Sequence, residues 1–507
     1  MFPIEFFRRS ALKCPDAIAA IDAERSCTYR ELLARCDALA AGIQTLTSRR
    51  RPTVAILGPN SMEMLVALLA IHASGSILVP LNGRNAKPEL DAQLRRVPPD
   101  LLIVHREYLD KFTPVEKPML VADAEPSDQR SMARVEQRHA GQEAQWDAVL
   151  GDVNAIKFTG GSSGVPKGVM QSFRCLNTHV TIYLLTFDFR STDRYLCAAP
   201  MTHGAGALIL PILARGGRIV MTADPKPASL LDLMERQGVT STWMPPTMLY
   251  GLIDEQRARP RDVKALTHLI WGGAAAAPAR VREAREVFGP IVETVYGQTE
   301  APMVLSVACA RDLVEDRHLA SVGRVPPLVE VAILDPEGKR LGPSELGEIC
   351  ARGDLVMNGY YEMPEETEKT FAGGWLHTGD GGYLDEDGFL FLKDRIRDVV
   401  ISGGFNVYPS DVEAAIAQHA AVSEVVVFGV PDAHWGERVE AALELRSGYS
   451  ATPDELIAFC KERVGSVKTP KKIHIVQSLP RSPVGKVLRR EARSAAVAAS
   501  EGVVSTG

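Results

Sequence analysis

Several features that mark other classes of protein are missing from this sequence. The eight cysteines among the 507 residues are scattered and form no C-x-x-C pair, so neither a zinc site nor a redox motif is indicated. No apolar run reaches the roughly eighteen residues of a membrane span, and the N-terminus has no apolar core followed by a cleavage site. We therefore expect no membrane span, no signal peptide and a cytoplasmic location.

An excess of positive charge is also missing. Lys and Arg number 57 and Asp and Glu number 63, which gives a net charge of −6. Such a mildly acidic chain gives no reason to expect a nucleic acid or an anionic membrane as partner. The hydrophobic content of 46% is that of a globular protein, and 507 residues exceed what one core usually organises. We expect two or more domains.

Short apolar runs alternate with helical stretches between about residues 51 and 297. The segment 53–57 (TVAIL) predicts a strand, 61–75 a helix and 76–81 a second strand. This alternation predicts α/β layers with largely parallel strands. Further strands are predicted at 195–200, 216–221, 239–244, 266–271 and 291–296, and helices at 228–238 and 279–289.

The pattern changes after Val322, where short β-like runs are separated by Pro, Gly and Asp. We therefore predict an α/β fold with a large N-terminal region over residues 1–394, of which about 322–394 form a β subdomain. A small α+β C-terminal domain is predicted over 395–495 and a flexible tail over 496–507.

The strongest local motif is FTGGSSGVPKGV at 158–169. Glycines let backbone N–H groups and hydroxyls approach phosphate oxygens, and Lys167 adds a positive charge. The motif is not a P-loop, because Lys167 lies between Pro166 and Gly168 and does not enter a helix. Phosphate binding is favoured over a flexible surface turn, and the candidate contacts are Thr159, Gly160, Gly161, Ser162, Ser163, Gly164 and Lys167.

At this loop the sequence resembles the adenylate-forming enzymes, which include acyl-CoA synthetases, firefly luciferase and peptide-synthetase adenylation domains. The resemblance covers nearly the whole chain, and the motifs occur in the family's order. The family's usual loop is Thr-Ser-Gly-Thr-Thr-Gly-x-Pro-Lys-Gly, so the glycine at position 160 removes one hydroxyl. The resemblance implies that the pyrophosphate contacts are Thr159, Ser162, Ser163 and Lys167.

Two further motifs resemble the family's adenine and phosphate contacts. In VYGQTE (295–300), the resemblance implies that Tyr296 stacks on adenine, Thr299 contacts the α-phosphate and Glu300 binds magnesium. A carboxylate is a suitable ligand for this hard cation. In IWGGAAAAP (270–278), the small residues would form the other wall of the adenine slot. The remaining candidate nucleotide contacts in the two motifs are Gly272, Gly273, Ala274, Gly297 and Gln298.

WLHTGD (375–380) and KDRIRD (393–398) resemble the ribose contacts and the hinge of the family. The resemblance implies that Asp380 holds the ribose hydroxyls and that Arg395 assists it, although an aspartate in such a turn is commonly a turn former. Arg397 would be the interdomain hinge about which the C-terminal domain moves. The family often has Lys or Asp at the hinge, so Arg397 departs mildly from the pattern.

LPRSPVGKVLRR (479–490) resembles the family's Pro-Arg-Thr-x-x-Gly-Lys pattern, with Ser482 in place of Thr. The resemblance implies that Lys486 is the adenylation catalyst, whose ammonium would offset charge that grows on the α-phosphate. The alternative is a basic surface segment. In SGGFNVYP (402–409), the resemblance implies that Gly403 and Gly404 line the tunnel for pantetheine.

The resemblance places an acyl pocket around PMTHGAG (200–206) and STWMPPTMLYG (241–251). His203 would border and gate this pocket and take part in catalysis, although a lone histidine is more often structural. Neither segment contains Arg or Lys, so we expect a monocarboxylic acid with an apolar body, because a second charge would lack a partner. The acid could be aliphatic, alicyclic or aromatic. The candidate wall residues are His203, Trp243, Met244 and Met248.

Taken together, the motifs predict an acid-thiol ligase that uses ATP, Mg²⁺ and coenzyme A. Loading of a separate carrier protein is the alternative, and a homodimer is left open. Luciferase-like oxidation is disfavoured. Amino-acid activation is also disfavoured, because no Asp for an ammonium group occurs near PMTHGAG. A catalytically silent nucleotide-binding relative is disfavoured because both Glu300 and Lys486 are present.

Overall fold

The computed structural model describes residues 1–502, apart from 24, 160–165, 275, 396–397, 433–434 and 483–484. Short 3₁₀ turns occur at Arg106–Lys111, Gly204–Leu208, Asp316–His318 and Ala372–Gly374. The helices are α1 (Ile4–Lys13), α2 (Tyr29–Leu46), α3 (Met62–Ala73), α4 (Lys87–Arg96), α5 (Met132–Arg138), α6 (Phe173–Thr186), α7 (Ile209–Ala214), α8 (Pro227–Gln237), α9 (Pro246–Ala258), α10 (Pro278–Phe288), α11 (Pro364–Thr370), α12 (Pro409–Ile416), α13 (Pro453–Lys468) and α14 (Arg489–Gly502).

The strands fall into three sheets. Strands up to residue 324 are β1 (Ile18–Asp22), β2 (Arg25–Thr28), β3 (Thr53–Leu57), β4 (Ile77–Pro80), β5 (Leu101–Val104), β6 (Met119–Val121), β7 (Val153–Thr159), β8 (Lys167–Ser172), β9 (Arg194–Cys197), β10 (Arg218–Met221), β11 (Ser241–Met244), β12 (His268–Gly272), β13 (Val292–Tyr296), β14 (Ser306–Ala308) and β15 (Ser321–Arg324). They are followed by β16 (Glu330–Leu334), β17 (Gly347–Arg352), β18 (Gly359–Tyr360), β19 (Leu376–Leu384), β20 (Phe389–Arg395), β21 (Val400–Ser402), β22 (Phe405–Val407), β23 (Val422–Asp432), β24 (Gly436–Leu445) and β25 (Lys472–Val476).

The largest sheet has 13 strands in the order β16-β17-β19-β20-β15-β14-β13-β12-β11-β9-β10-β1-β2. Its middle, from β13 to β1, is parallel. A second sheet has the order β18-β8-β7-β4-β3-β5-β6, in which β7 and β8 are antiparallel. The alternation in the sequence predicted these parallel layers, and the α/β fold class is confirmed.

Helix α3 shows how the sequence specifies its surroundings. Ser61 caps the helix by accepting a hydrogen bond from the Met64 N–H, and every residue of the helix except Glu63 is buried. A helix that is apolar on all sides has to be covered on all sides. Its side chains join the largest apolar core, which includes residues from both large sheets.

Most strands of the predicted β subdomain, namely β15, β16, β17, β19 and β20, extend the edge of the 13-stranded sheet, whereas β18 pairs with β8 in the second sheet. The extension begins where β14 runs antiparallel to β13 and pairs in turn with β15. The change in sequence texture therefore marks a change from parallel to antiparallel pairing. Antiparallel strands need only short turns, which explains the closely spaced Pro, Gly and Asp residues.

The strands after residue 400 form a third sheet of five, with β22, β21, β24, β23 and β25. The C-terminal tail differs from its prediction, since α14 continues to Gly502. Ala492 and Ala496 are buried against strands β23 and β24, and this packing orders a segment that looked frayed in the sequence. Among the helices that the structure describes, none combines the length and the apolar character that crossing a bilayer requires.

Candidate active site

Four neighbouring parallel strands bring their carboxyl ends to one edge of the large sheet. The order β13-β12-β11-β9 places the segments after Tyr296, Gly272, Met244 and Cys197 side by side. Ligands bind at this edge in open α/β sheets, because the loops there leave the sheet and surround a crevice. The candidate adenine, phosphate and acyl-pocket segments are therefore brought together by strand order.

The candidate phosphate loop joins the antiparallel strands β7 and β8. Thr159 ends β7 and pairs in register with Lys167, the first residue of β8. Gly160, Gly161, Ser162, Ser163 and Gly164 lie outside the described residues. Both ends of the loop are thus fixed by the ladder, and their assignment as phosphate contacts stays a prediction.

Lys167 and Glu300 are linked through a tyrosine that sequence analysis missed. The Tyr360 hydroxyl donates to Glu300 Oε1 at 2.8 Å, and Lys167 Nζ lies 5.1 Å from the centre of the Tyr360 ring. Lys167 also forms an ion pair with Glu366, which lowers the pKa of that carboxyl. In this arrangement the lysine ammonium lies over the Tyr360 ring, and the Glu300 carboxylate accepts from the hydroxyl of the same ring. The pair Tyr360-Tyr361 carried no recognisable signal in the sequence.

Thr299 is held by its backbone. Its carbonyl accepts a hydrogen bond of 2.7 Å from Gln171 Nε2, a buried side chain on β8. The next carbonyl, that of Glu300, accepts from the Met357 N–H at 2.8 Å. These two bonds fix the backbone that carries the candidate phosphate and magnesium contacts. Neither bond uses the side chain of Thr299 or of Glu300.

Asp380 is the centre of the candidate ribose site. Its Oδ2 accepts from the Tyr296 hydroxyl at 2.8 Å and from Gln298 Nε2 at 2.6 Å. Its Oδ1 lies 3.3 Å from Arg395 Nε. Burial, with the negative charge of Asp380, raises the pKa of the Tyr296 phenol, which therefore stays a hydrogen-bond donor. The structure brings together four residues that are separated by up to 99 positions in the sequence.

The candidate adenine slot is narrow because its backbone is close to other atoms. A Cβ on Gly272 would lie 2.8 Å from the Val295 carbonyl oxygen, and Gly273 has a φ of +82°. A Cβ on Gly297 would lie 2.4 Å from the Met303 nitrogen. Glycine is required at these three positions for steric reasons. Ala274 follows directly, while Ala275 lies outside the described residues.

Trp243 connects the candidate acyl pocket to the adenine slot. A Cβ on Gly204 would lie 2.2 Å from Cη2 of the Trp243 ring, and a Cβ on Gly272 would lie 3.2 Å from its Nε1. The indole ring is therefore packed between two glycine-containing segments. Its Nε1 is buried and has no hydrogen-bond partner among the described residues.

His203 lies next to this ring and accepts or donates through Nδ1 to the Thr202 hydroxyl at 2.9 Å. Burial, together with the positive charges of Lys157 and Arg84, lowers the pKa of His203 to about 4. The imidazole is therefore neutral at neutral pH. Neither candidate pocket segment contains a lysine, but the charge of Lys157, on β7, acts on His203.

The structure separates the two candidate pocket residues of β11. Trp243 joins the core between the large sheets, whereas Met244 is fully buried in a different cluster with Leu249 and Leu252. Successive side chains of a strand point to opposite faces, which is why Met244 does not lie with Trp243. Met248 packs at the boundary of the two clusters and is only partly buried.

Lys486 is brought against the N-terminal part of the chain. A Cβ on Gly485 would lie 2.8 Å from Thr247 Oγ1 on α9, so the two segments are in contact. Lys486 keeps contact with solvent, but the surrounding protein lowers the pKa of its ammonium. The charge of Arg395 lowers this pKa further, and the charge of Asp380 opposes that effect. Lys486 therefore acts electrostatically on the candidate ribose site.

The basic residues around Lys486 are not a solvated surface. Arg489 pairs with Asp394, Asp398 and Glu413 at 3.1, 3.3 and 2.8 Å. Arg481 contacts two more carboxylates, those of Glu424 and Glu444. These ion pairs tie the segment to the C-terminal sheet and α12.

In the described part of the chain, the candidate pantetheine residues form no hydrogen bond with this cluster. Arg397 lies outside the described residues. Gly403 and Gly404 form the exposed turn between β21 and β22, with φ values of +58° and +81°. The Gly403 N–H donates to the Trp435 carbonyl at 2.8 Å, which holds the turn within the C-terminal part.

Two family models match this chain. The model described as AMP-binding enzyme matches residues 7–361, and the model described as AMP-binding enzyme C-terminal domain matches residues 411–486. Together they cover most of the residues from which the site is built.

Proteins of known function are similar over much or nearly all of the chain. The medium/long-chain-fatty-acid–CoA ligase FadD8 of Mycobacterium tuberculosis is 39% identical over 355 residues, which are 69% of this chain and 61% of that protein. A feruloyl-CoA synthase of an Amycolatopsis species is 32% identical over 96% of this chain and 97% of its own. The fatty acid–[acyl-carrier-protein] ligase ScoC of Streptomyces coeruleorubidus is 30% identical over 94% and 93%.

Solved structures are similar over almost the whole length. ATP-bound MatB from Rhodopseudomonas palustris has a TM-score of 0.87 and 28% identity, and the match covers 98% of this chain and 99% of that one. The amide bond synthetase McbA from Marinactinospora thermotolerans also has a TM-score of 0.87 and 28% identity, over 97% and 99%. These matches include both the large sheets and the C-terminal part.

Proposed function

The chain belongs to the AMP-binding enzyme family, and from this premise we propose that it is an acid-thiol ligase that makes acyl-CoA through an acyl-adenylate. The observation that carries the proposal is the cluster at Asp380, which accepts hydrogen bonds from Tyr296 and Gln298 and pairs with Arg395 on the large sheet. The charges of Asp380 and Arg395 also act on the ammonium of Lys486, from the last part of the chain. This arrangement is suited to binding a nucleotide and stabilising charge on its phosphates.

In the first half-reaction, an oxygen of the acid's carboxylate attacks the α-phosphorus of ATP. The bond between that phosphorus and the bridging oxygen breaks, and pyrophosphate leaves with the electron pair. Lys486 would stabilise the charge on the α-phosphate, while Thr159 and Lys167 would hold the departing pyrophosphate. Asp380 would accept hydrogen bonds from the ribose hydroxyls, and Tyr296 and Gln298 keep its carboxylate oriented.

The residues at Glu300 fit a magnesium ion. Magnesium in nucleotide sites is commonly held by one or two carboxylates together with phosphate oxygens and waters. Glu300 supplies one carboxylate, and only its Oε1 accepts the Tyr360 hydroxyl. When bound, the ion would neutralise phosphate charge. Tyr360 keeps the carboxylate in place, and the backbone bonds at Thr299 and Glu300 fix its distance from the sheet.

In the second half-reaction, the sulfur of the thiol attacks the acyl carbon, the bond from that carbon to the AMP oxygen breaks, and AMP leaves. The thiol proton passes to solvent. Lys486 has no role in this half-reaction, and we propose that the C-terminal domain turns about Arg397 to withdraw it. The turn with Gly403 and Gly404, which lies away from the nucleotide residues here, would then line the path of the pantetheine.

Coenzyme A is the acceptor that we favour. FadD8 and the feruloyl-CoA synthase are named for CoA products, which supports this choice, whereas ScoC is named for a carrier protein. Carrier loading is therefore kept as the second candidate.

The deciding experiment is a panel of carboxylic acids scored by AMP formation, with coenzyme A or a purified carrier protein as acceptor. We expect AMP formation that depends on both an acid and coenzyme A. Acceleration by the carrier protein alone would favour the second candidate, and AMP formation with neither acceptor and no acid would contradict the proposal.

A further inference from the structure

Lys157 lies on β7, two residues before Thr159, in the otherwise apolar run Ala155-Ile156-Lys157-Phe158. It pairs in register with Val169, and the neighbouring pair is Ala155 with Gln171. Alternate residues of paired strands share one face of the sheet. Lys157 therefore lies on the same face as Gln171, whose amide holds the Thr299 carbonyl. This face of the second sheet is turned toward the candidate active site.

No carboxylate accompanies this ammonium. Among the residues that the structure describes, Lys157 forms no hydrogen bond and no ion pair. Its side chain lies deep in the molecule, but protein atoms do not cover it completely. Burial lowers the pKa of the ammonium, and among the described residues only Cys175 opposes this effect. The cysteine is neutral, because burial raises its pKa to about 12.

The charge of Lys157 acts on three histidines. His72 comes from α3, His179 from α6 and His203 from the turn after β9. Burial lowers the pKa of each to about 4, and the positive charge of Lys157 contributes to all three shifts. The neighbours are thus neutral imidazoles at neutral pH. A buried ammonium without an anion is costly, and an anionic or strongly accepting oxygen beside it would remove that cost.

The charge of Lys157 acts on the acyl side of the site. It lowers the pKa of His203, which packs beside Gly204 and the Trp243 ring. The carboxyl of Glu366, on the phosphate side, has its pKa lowered by Lys167 and Lys369. Two lysines of one hairpin thus act on different groups, and the charge of Lys157 is the one that reaches His203, at the candidate acyl pocket.

We propose that Lys157 forms a subsite for a second oxygen group on the acid's body, so that the preferred acid carries a carboxylate or a carbonyl oxygen besides the carboxylate that is activated. The inference rests on the proposed function. The rest of the body remains apolar, as the wall formed by Trp243 requires. An ammonium donates to either kind of oxygen, and a carboxylate also satisfies its charge.

The test compares matched acids of graded chain length: an unsubstituted alkanoic acid, its oxo derivative and the corresponding diacid. CoA-dependent AMP formation gives kcat and KM for each. For the wild-type chain we expect a higher kcat/KM with the substituted acid at one chain length. In Lys157→Met, the ratio of substituted to unsubstituted acid should fall by about tenfold to a hundredfold, chiefly through KM for the acid. The matched control is Lys264→Met, an exposed lysine, which should leave the ratio unchanged.

The outcomes separate the inference from the function on which it rests. A wild-type chain that treats all three acids alike overturns the inference, whatever the variant does or however well it folds. A Lys157→Met variant with an unaltered ratio and a raised KM for ATP also overturns it and places the lysine with the phosphates. If the wild-type chain forms no AMP with any acid, the proposed function itself fails. If kcat/KM rises above that of the unsubstituted acid for the diacid but not for the oxo acid, the second group is a carboxylate.

Discussion

At the residue scale, the site depends on which charged side chains are paired with one another and which are not. Asp380 accepts hydrogen bonds from Tyr296 and Gln298 and forms an ion pair with Arg395, and Lys167 forms an ion pair with Glu366. Lys486 faces this set without a hydrogen bond from its ammonium to any described residue. A positioned charge of this kind is available to a phosphate, so its removal should affect one chemical step more than others.

Lys486→Ala should slow acyl-adenylate formation by about 10²–10³-fold, judged by the loss of single charge-stabilising donors in other enzymes. A supplied acyl-adenylate should still be converted to acyl-CoA at close to the wild-type rate, because the lysine is withdrawn in that step. Single-turnover kinetics of the two half-reactions measure this difference. Lys461→Ala, which removes an exposed lysine of α13, is the control. Equal loss of both half-reactions in a folded variant would contradict the domain rotation.

Glu300→Ala should raise the magnesium concentration that activity requires, because it removes the carboxylate that we assign to the ion. Tyr360→Phe is the matched variant, since it removes only the donor to Glu300 and keeps the ring over which Lys167 lies. It should shift the magnesium dependence less. Titration of activity with magnesium at saturating ATP tests both. Wild-type activity of Glu300→Ala at low magnesium would show that the metal assignment is wrong.

At the scale of elements, β11 offers two adjacent large residues with different surroundings. Trp243→Ala should admit bulkier acids and weaken small ones, because it removes a wall between the two glycine segments. Met244→Ala should cost about 2–5 kcal/mol of unfolding free energy, as buried methionines do elsewhere, and leave the acid preference unchanged. The acid panel and urea unfolding separate the effects. A changed preference in Met244→Ala would contradict the assignment of the two faces.

Three elements, α3, α6 and the turn after β9, each contribute a buried neutral histidine. Their pKa in the folded chain is about 4, against 6.5 for an unperturbed histidine. The unfolded chain therefore binds more protons between these values, so stability falls as the pH drops from about 6.5 toward about 4. His179→Gln should reduce the slope of unfolding free energy against pH in this window. An unaltered slope would show that His179 is protonated in the folded chain.

At the scale of the whole molecule, the C-terminal part is joined to the large sheet's helices by ion pairs as well as by Lys486. Arg446 follows β24 and lies 3.1 Å from Glu283 on α10. This pair crosses from one part of the chain to the other. Because both side chains are only partly buried, its contribution is about 1 kcal/mol or less.

Arg446→Ala should lower the rate of adenylate formation by a few-fold and leave thioester formation unaffected, because we expect the pair to form only in the arrangement that delivers Lys486. The control is Arg352→Ala, whose pair with Glu330 lies within one sheet. Single-turnover kinetics of the two half-reactions test this prediction. A loss that is equal in both half-reactions would mean that the pair does not distinguish the two arrangements.

The sequence by itself determined the family, the α/β class and most of the strands and helices. The family and the class are confirmed by the matching models and the parallel sheets. Such features depend on the period of hydrophobic residues, on glycine-containing turns and on the order of motifs. All of these can be recognised in a single sequence. The domain boundaries and the individual roles of residues such as Thr299, Arg395 and Arg397 stay predictions.

Tertiary structure alone decided which residues meet. Tyr360 reaches Glu300 across 60 positions, and β15, β16, β17, β19 and β20 join the large sheet although their sequence looks separate. It also decided that Met244 turns away from Trp243 and that the charge of Lys157 acts on three histidines. A strand pattern defines two faces but not what packs on each. That depends on strand order and helix packing, which arise from contacts between distant segments and so leave no local mark in the sequence.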